Sequence, residues 1–228
     1  MRPSLWKYLL SYLCEIPIAQ APSYINPHLY VRLSRGRYQL VTNNAIYSFG
    51  DLYNNFARTF ERLDWSRFKG ERVLLLGLGL GSIPFMLERK FRKSYIYTAV
   101  EIDEQVIYFA GKYVLNELKS PVTIIHTDAV NFVQITTEQW DLICLDLFVD
   151  DEIPTGAQTT SFMHALKERI APNGLLLFNS LARTKEDMSK SEHLLHEIFL
   201  PVFPNAGYLD VGGNWIFVND KSFLKLKV

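Results

Sequence analysis

The sequence has no excess charge of either sign and few cysteines. It carries 24 basic and 24 acidic side chains, so no net field would hold a polyanion, and we expect no nucleic-acid partner. Its two cysteines, Cys14 and Cys144, form no CxxC pair, and the five histidines form no cluster with them, so we expect no metal site. Two isolated cysteines suit a reducing compartment, and we expect a cytoplasmic protein.

Long apolar runs are also missing. The most apolar stretch near the amino terminus covers residues 5–13, and Lys7 interrupts it. It is shorter than the ~20 residues that a membrane-spanning helix needs. Its flanking residues make a poor signal peptide as well. The sequence therefore predicts neither membrane association nor export.

Apolar residues are nevertheless abundant and ordered along the chain. They make up 48% of the 228 positions, which suffices for a large packed core. From Arg72 onward, short apolar runs alternate with segments of helical periodicity, as is typical of an open, mostly parallel sheet with helices on both faces. Two runs that flank Gly212 and Gly213 predict a closing antiparallel hairpin. The predicted fold class is therefore α/β.

The first 48 residues differ from the rest because proline and β-forming residues are frequent there. Two runs, 29–33 and 38–42, flank a turn that contains Gly36 and predict a small β-hairpin. We therefore divide the chain into an N-terminal β-rich extension, 1–48, and a larger domain, 49–228. Unpaired edges of the hairpin could pair with a second copy, so a homodimer through this region is a further expectation.

A glycine-rich loop lies between the first parallel strand and the helix that follows it. Gly77, Gly79 and Gly81 let the backbone turn tightly and approach a ligand, and the helix amino end offers unpaired N–H groups. Glu101, twenty residues beyond Gly81, ends the next strand, where its carboxylate can bind both hydroxyls of a ribose. This pattern predicts a site for a mononucleoside ligand.

Acidic residues also follow the next two strands. Asp128 and Ala129 come after the third strand, where Asp128 could contact an adenine or simply cap the next helix. Asp146 comes after the fourth strand and is a candidate to orient or deprotonate a nucleophile. Because the carboxyl ends of parallel strands meet at one edge of a sheet, we expect these residues to share one crevice.

Four segments of the chain are similar to a known family. VLLLGLGLGS, AVEID, HTDAVNF and WDLICLDLF, in this order, resemble the class I S-adenosylmethionine-dependent methyltransferase fold. That fold is Rossmann-like and has a seven-stranded sheet. LDLFVDDEIP and the later NGLLLFN resemble its spermidine-synthase-like branch in particular. The resemblance covers roughly residues 38–219.

The resemblance implies a cofactor and a set of residues that bind it. The cofactor is S-adenosylmethionine or its decarboxylated form. By this resemblance, Gly77, Gly79 and Gly81 contact the methionine part of the cofactor. Glu101 contacts the ribose, and Asp128 and Ala129 contact the adenine.

The resemblance also implies a place for the acceptor. Asp146 matches the acid that receives the proton of the attacking amine in aminopropyltransferases. Tyr53 and Asn54 fall where those enzymes carry a residue pair near the substrate, and Tyr53 is a second catalytic candidate. Asp150 and Asp151 follow in the acidic loop, where they would attract a small acceptor of positive charge.

One departure from the family pattern bears on the reaction. Position 80 is leucine, whereas the aminopropyltransferases carry an acid there that pairs with the ammonium of the donor. A leucine beside that cation would remove a charge-assisted hydrogen bond of about 1.5–3 kcal/mol. The sequence therefore favours methyl transfer to a small molecule. A spermidine synthase-type aminopropyltransferase is the alternative, and a non-catalytic adenosyl-binding module is a further one.

Overall fold

The computed structural model describes residues 3–43 and 45–225, which form two sheets. Asn44 and both chain ends, which belong to the predicted ranges 1–48 and 49–228, lie outside the described residues. A short helix, α1 (Leu5–Leu10), precedes an antiparallel sheet. The strands of this N-terminal sheet lie in chain order and are β1 (Ile16–Ala21), β2 (Leu29–Ser34), β3 (Arg37–Val41) and β4 (Ile46–Ser48).

The N-terminal sheet is larger than the hairpin that the sequence predicts. Strands β2 and β3 confirm the hairpin, but β1 and β4 extend it on either side. The pairing of β1 shifts between Pro17 and Ala19, and this irregularity hides the alternation that marks a strand. Strand β4 is only three residues long and leaves almost no pattern. The domain boundary at residue 48 stays a prediction.

The larger sheet has seven strands in the order β10-β11-β9-β8-β5-β6-β7. Strands β5 to β9 are parallel, and β10 and β11 form an antiparallel hairpin that pairs with β9. The predicted class, mostly parallel sheet and C-terminal hairpin are thus confirmed. The strands are β5 (Arg72–Leu76), β6 (Ile96–Glu101), β7 (Val122–His126), β8 (Trp140–Leu145), β9 (Ile170–Leu181), β10 (Gly207–Asp210) and β11 (Asn214–Val218).

Helices cover both faces of the larger sheet. Along β5, Val73 and Leu75 belong to the core on one face, and Leu74 and Leu76 belong to the core on the other. This double burial explains why the strand reads as a continuous apolar run. The helices are α2 (Asn54–Arg62), α3 (Ser82–Arg89), α4 (Glu104–Tyr113), α5 (Ala129–Ile135), α6 (Thr160–Arg169), α7 (Lys185–His193) and α8 (Leu200–Val202), with a π-helical segment (Leu194–Phe199) before α8.

The N-terminal sheet packs on the larger domain through a third apolar core. Leu29 and Leu40 of the N-terminal sheet are fully buried in a cluster with Leu80, at the start of α3, and with Val106 and Phe109 of α4. Fully burying a leucine side chain contributes about 1.5–3 kcal/mol. The packing fixes the segment around β4 above the carboxyl edge of the parallel strands.

The helix α1 leaves much of its apolar surface in solvent. Leu5 is 74% exposed, and Leu13, just beyond the helix, is 86% exposed. Among the described residues, no helix combines the length and the apolar character that crossing a membrane requires. The predicted homodimer through the N-terminal region stays a prediction.

Truncation of Leu40 tests the packing of the N-terminal sheet. Leu40→Ala is expected to lower the free energy of unfolding by about 2–5 kcal/mol, because it leaves a cavity between the sheet and α4. The matched control Leu13→Ala removes the same atoms from solvent-exposed surface and is expected to change stability by less than about 0.5 kcal/mol. Urea unfolding followed by circular dichroism measures both. Equal effects would contradict this description of the core.

Candidate active site

The carboxyl ends of four parallel strands enclose one crevice of about 240 Å³. Gly77 follows β5, Glu101 ends β6, Asp128 follows β7 and Asp146 follows β8, and all four residues line this crevice. In open α/β sheets, ligands bind at this edge. The structure therefore brings together the residues that the sequence places at four separate strand ends.

Two glycines give the crevice a wall of bare backbone. Gly77 has a φ of +91°, and a Cβ atom added there would lie 2.3 Å from the carbonyl oxygen of Asp146. Gly79 has a φ of +52°, and its Cβ would lie 3.0 Å from the carbonyl oxygen of Tyr47. Both residues line the crevice, and glycine is needed at each because φ is positive and neighbouring backbone lies too close for a side chain.

Gly81, the third predicted binding glycine, lies outside the crevice wall. It is the N-cap residue of α3, and a Cβ there would lie 2.6 Å from a methyl carbon of Leu115. Packing against Leu115 therefore explains the glycine without a ligand. A direct contact between Gly81 and a cofactor stays a prediction that this placement does not favour.

Glu101 supports the glycine loop as well as lining the crevice. Its Oε2 accepts a hydrogen bond from the N–H of Leu78 at 3.0 Å, and its Oε1 accepts from the N–H groups of Ile102 and Asp103. Burial raises the pKa of Glu101, and these three N–H groups act against the shift. The carboxylate thus fixes the loop after β5 against the end of β6, a role that the spacing alone does not predict.

Asp128 combines the two roles that the sequence leaves open. Its Oδ1 accepts a hydrogen bond from the N–H of Asn131 at 2.8 Å and so caps α5. Asp128 and Ala129 also line the crevice. The cap orders the backbone at the start of α5, where a ligand in the crevice would meet it.

Asp146 is held by two side chains from different parts of the chain. Its Oδ1 accepts a hydrogen bond from the Tyr53 hydroxyl at 3.2 Å and another from Nδ2 of Asn179 at 2.7 Å. Asp146 Oδ2 accepts no hydrogen bond from the residues that the structure describes. One carboxylate oxygen is therefore fixed, and the other has capacity to accept a proton or a hydrogen bond.

The surroundings of Asp146 shift its acidity toward neutrality. Burial raises the pKa of this carboxyl to about 6, while the hydrogen bonds from Asn179 and Tyr53 favour the ionised form and limit the rise. Burial also raises the pKa of Tyr53 well above its usual range, and the adjacent Asp146 charge adds to that effect. Tyr53 therefore stays protonated and acts as a hydrogen-bond donor to Asp146.

Two asparagines complete the network, and sequence reasoning assigned no function to either. Asn179 on β9 is fully buried, and its Oδ1 accepts a hydrogen bond from Nδ2 of Asn214 on β11 at 2.8 Å. Both residues line the crevice. The sequence does contain one signal for Asn179, which directly follows an apolar run. A polar side chain at such a position is expected to be buried and therefore to need a hydrogen-bond partner. Asn214 leaves no comparable signal.

Residues of the N-terminal sheet and its connections close one side of the crevice. The hydroxyl of Tyr47 donates to Oδ1 of Asn26 at 3.0 Å and accepts a hydrogen bond from the N–H of Asp150. Asn26 in turn donates to Asp103, the residue that caps α4. Burial raises the pKa of Tyr47, so its hydroxyl stays protonated. This chain of hydrogen bonds connects the N-terminal sheet to the loop after Asp146.

The three predicted acceptor-binding residues occupy different places. Asp150 lines the crevice, and its Oδ1 accepts a hydrogen bond from the Thr42 hydroxyl at 2.7 Å. Asn54 lines a neighbouring groove instead. Asp151 is exposed and lines neither cavity. The structure thus brings only Asp150 to the crevice, and acceptor contacts by Asn54 and Asp151 stay predictions.

The fold and the crevice together define a Rossmann-like domain of the S-adenosylmethionine-dependent methyltransferase type. Residues 66–209 match the family model of the spermine/spermidine synthase domain, which is more than half of the chain. The chain therefore belongs to this family, and the predicted resemblance to the spermidine-synthase-like branch is confirmed.

Curated relatives and solved structures agree with this assignment. A polyamine aminopropyltransferase of Vibrio vulnificus is 32% identical over 121 residues, which cover 51% of this chain and 40% of that protein. A probable polyamine aminopropyl transferase of Bifidobacterium longum is 27% identical over 137 residues, which cover 60% of this chain and 30% of that protein. The chain thus spans less than half the length of these curated relatives.

The fold is similar to that of a probable spermidine synthase from Corynebacterium glutamicum. The TM-score is 0.70 at 17% identity, and the match covers 90% of this chain and 79% of that one. A spermidine synthase solved with the transition-state analogue AdoDATO has a TM-score of 0.63 at 16% identity, over 89% of this chain and 71% of that one. At such identities the similarity establishes the fold alone.

A methyl group added at position 77 tests the bare wall of the crevice. Gly77→Ala is expected to lower the free energy of unfolding by more than about 1 kcal/mol, because its Cβ meets the Asp146 carbonyl at a positive φ. Gly111→Ala is the matched control. Its Cβ meets nothing within 4 Å inside α4, so it is expected to stabilise by roughly 0.5–1 kcal/mol. Chemical unfolding measures the change in the free energy of unfolding for both variants. Changes of opposite sign support the close backbone contact at Gly77, and changes of the same sign contradict it.

Proposed function

We propose that this chain is an aminopropyltransferase that uses decarboxylated S-adenosylmethionine and a small amine acceptor. The observation that carries the proposal is Asp146, whose carboxyl has a pKa raised to about 6 by burial and lines the same crevice as Gly77 and Glu101. The activities for which the curated relatives are named support the same reaction. The structural neighbour that binds a transition-state analogue supports a donor of this class.

The charges of the crevice suit a cationic donor and a cationic acceptor. Among the described residues that line it, five are acidic and one, Arg183, is basic. A cleft of one sign raises the local concentration of the opposite charge. The acidic residues are Glu101, Asp103, Asp128, Asp146 and Asp150.

Methyl transfer, which the sequence favours, has less support than aminopropyl transfer. That expectation depends on Leu80 lying beside the ammonium of the donor. Leu80 is instead 1% exposed, packs in the core under the N-terminal sheet and is absent from the crevice lining. The leucine therefore gives no reason to reject a donor that carries an ammonium, and the relatives favour aminopropyl transfer.

A non-catalytic binding module has less support than an enzyme. Such a module would need the glycine wall and Glu101, but not the carboxyl of Asp146. Asp146 is a half-buried carboxyl whose pKa is raised by its surroundings, and a raised pKa of this kind is a common property of catalytic groups. Tyr53 and Asn179 moreover fix that carboxyl in one orientation.

Different residues of the crevice have different roles in the proposed reaction. The bound donor supplies a carbon that its sulfonium already activates for displacement. Gly77 and Gly79 provide space for the adenosyl compound, and Glu101 holds their loop in place. As the new nitrogen–carbon bond forms and the carbon–sulfur bond breaks, Asp146 accepts the proton that the acceptor nitrogen loses, and methylthioadenosine leaves.

A two-donor assay separates the two reactions. The protein is incubated with putrescine and either S-adenosylmethionine or its decarboxylated form, and products are identified by mass. We expect an aminopropylated amine from the decarboxylated donor, and Asp146→Asn should lower kcat about 100-fold or more because the proton acceptor is lost. Glu192→Gln, on the exposed surface of α7, is the control. A methylated amine as the main product would contradict the proposal.

The pH dependence tests the role of the network around Asp146. Because the ionised carboxyl accepts the proton, kcat should rise with pH along a limb with an apparent pKa of about 6. Asn179→Ala and Tyr53→Phe each remove a hydrogen bond that stabilises the ionised form, so each should move this limb to higher pH. A merely structural role would lower activity without moving the limb.

A further inference from the structure

A second groove, of about 530 Å³, lies beside the crevice. The groove and the crevice share part of their walls, so a molecule could extend from one into the other. The shared residues are Ile46, Tyr53, Asn55, Arg183 and Asn214. Tyr53 is the residue that donates to Asp146, so the groove begins directly beside the proposed proton acceptor.

The groove has the opposite charge to the crevice. Its described lining contains three arginines, Arg35, Arg58 and Arg183, and no acidic residue. The crevice lining has five acidic residues and one basic residue. The chain as a whole has equal numbers of acidic and basic side chains, so this separation is local and does not follow from composition.

Among the described residues, no carboxylate lies within 4.0 Å of these three arginines, although the charge of Arg183 contributes to lowering the pKa of Asp187. Nη1 of Arg58 donates to the carbonyl oxygen of Val211 at 2.5 Å, which fixes its guanidinium at the groove. By contrast, the adjacent Arg37 pairs with Asp51 through two hydrogen bonds. The groove arginines therefore keep N–H donors that can bind an anion, and a guanidinium binds carboxylate and phosphate groups in a forked geometry.

We propose that this groove binds an anionic group, a carboxylate or a phosphate, at the far end of the acceptor. The proposal depends on the proposed function in one respect, which is that the acceptor nitrogen reacts beside Asp146. The acceptor is then an amine that also carries an anion, and a plain diamine is a poorer ligand. Arg58 and Arg183 are the residues that determine this specificity.

The positions of the arginines assign the anion to the acceptor rather than to the donor. Gly77 and Gly79, which hold the donor side, line the crevice but not the groove. Arg35 and Arg58 line the groove but not the crevice. Tyr53 stands between the two sets, because it lines both. A group bound at Arg58 therefore lies outside the part of the crevice that Gly77 and Gly79 line.

Direct binding to the full chain tests this inference without requiring turnover. Calorimetry compares putrescine with ornithine, which has the same amine spacing and one added carboxylate, with methylthioadenosine present in both cases. We expect ornithine to bind at least 10-fold more tightly, and the difference to shrink as salt screens the exposed arginines. Phosphoethanolamine and ethanolamine form a second pair that distinguishes phosphate from carboxylate.

Variants assign the effect to the groove. Arg58→Gln and Arg183→Gln are each expected to weaken ornithine binding about 10-fold. Arg58→Gln should leave putrescine binding unchanged, whereas Arg183→Gln should not weaken it, because Arg183 also lines the crevice and its charge repels a cation there. Arg62→Gln is the matched control, because Arg62 lies one turn further along α2 and donates to the Asp210 carbonyl oxygen, but does not line the groove. It should change neither affinity.

Other outcomes separate this inference from the proposed function. If putrescine and ethanolamine bind as tightly as ornithine and phosphoethanolamine, or more tightly, and neither variant changes this, the anion groove is rejected. The aminopropyltransferase proposal is then still tested separately by the two-donor assay. A loss of S-adenosylmethionine binding in Arg58→Gln, with ornithine unaffected, assigns the carboxylate to the donor and also overturns it. Arginine-dependent binding of ornithine or phosphoethanolamine without any transfer retains the groove and rejects the aminopropyltransferase.

Discussion

The close approach of two backbone segments determines how the site is built. The loop after β5 lies against the end of β8 so tightly that a Cβ atom at Gly77 would lie 2.3 Å from the carbonyl oxygen of Asp146. This contact places backbone without a side chain directly beside the backbone of Asp146, whose carboxyl lines the same crevice. Since β5 and β8 are neighbouring parallel strands, their pairing fixes the distance between the glycine loop and Asp146, the proposed proton acceptor. Reaction by displacement depends on such positioning more than on any single contact.

Polar groups from distant parts of the chain then set the properties of that carboxyl. Tyr53 comes from the segment before α2 and Asn179 from β9, and both donate to the same oxygen of Asp146. Burial raises the pKa of Asp146 to about 6, and the hydrogen bonds from the two donors limit the rise. The arginine groove begins on the other side of Tyr53. Tyr53 thus lies where a cavity lined mostly by acids meets a cavity lined by arginines.

The sequence predicts the parts of this site that have a pattern. Gly77, Glu101 and Asp146 could be predicted as site residues because each lies at the carboxyl end of a parallel strand. A parallel sheet brings such residues together at one edge. The asparagine network and the arginine groove have no pattern along the chain, since Asn214 and Arg58 meet their partners only through folding. The edge strands of the N-terminal sheet were missed for a local reason, which is a shifted register in β1 and the shortness of β4.

Leu80 illustrates why a family pattern must be interpreted through packing. An acid at this position would lie in an apolar cluster with Leu29, Leu40 and Phe109, where an unpaired charge is costly. Leucine instead contributes to the core that holds the N-terminal sheet in place, and that sheet carries Tyr47 over the crevice. With leucine instead of an acid at position 80, the chain lacks one possible ligand contact, but the N-terminal sheet gains an apolar side chain to pack against. In the proposed reaction, pairing with a cation would fall to the acids that do line the crevice, which come from the end of β6 and the loops after β6, β7 and β8.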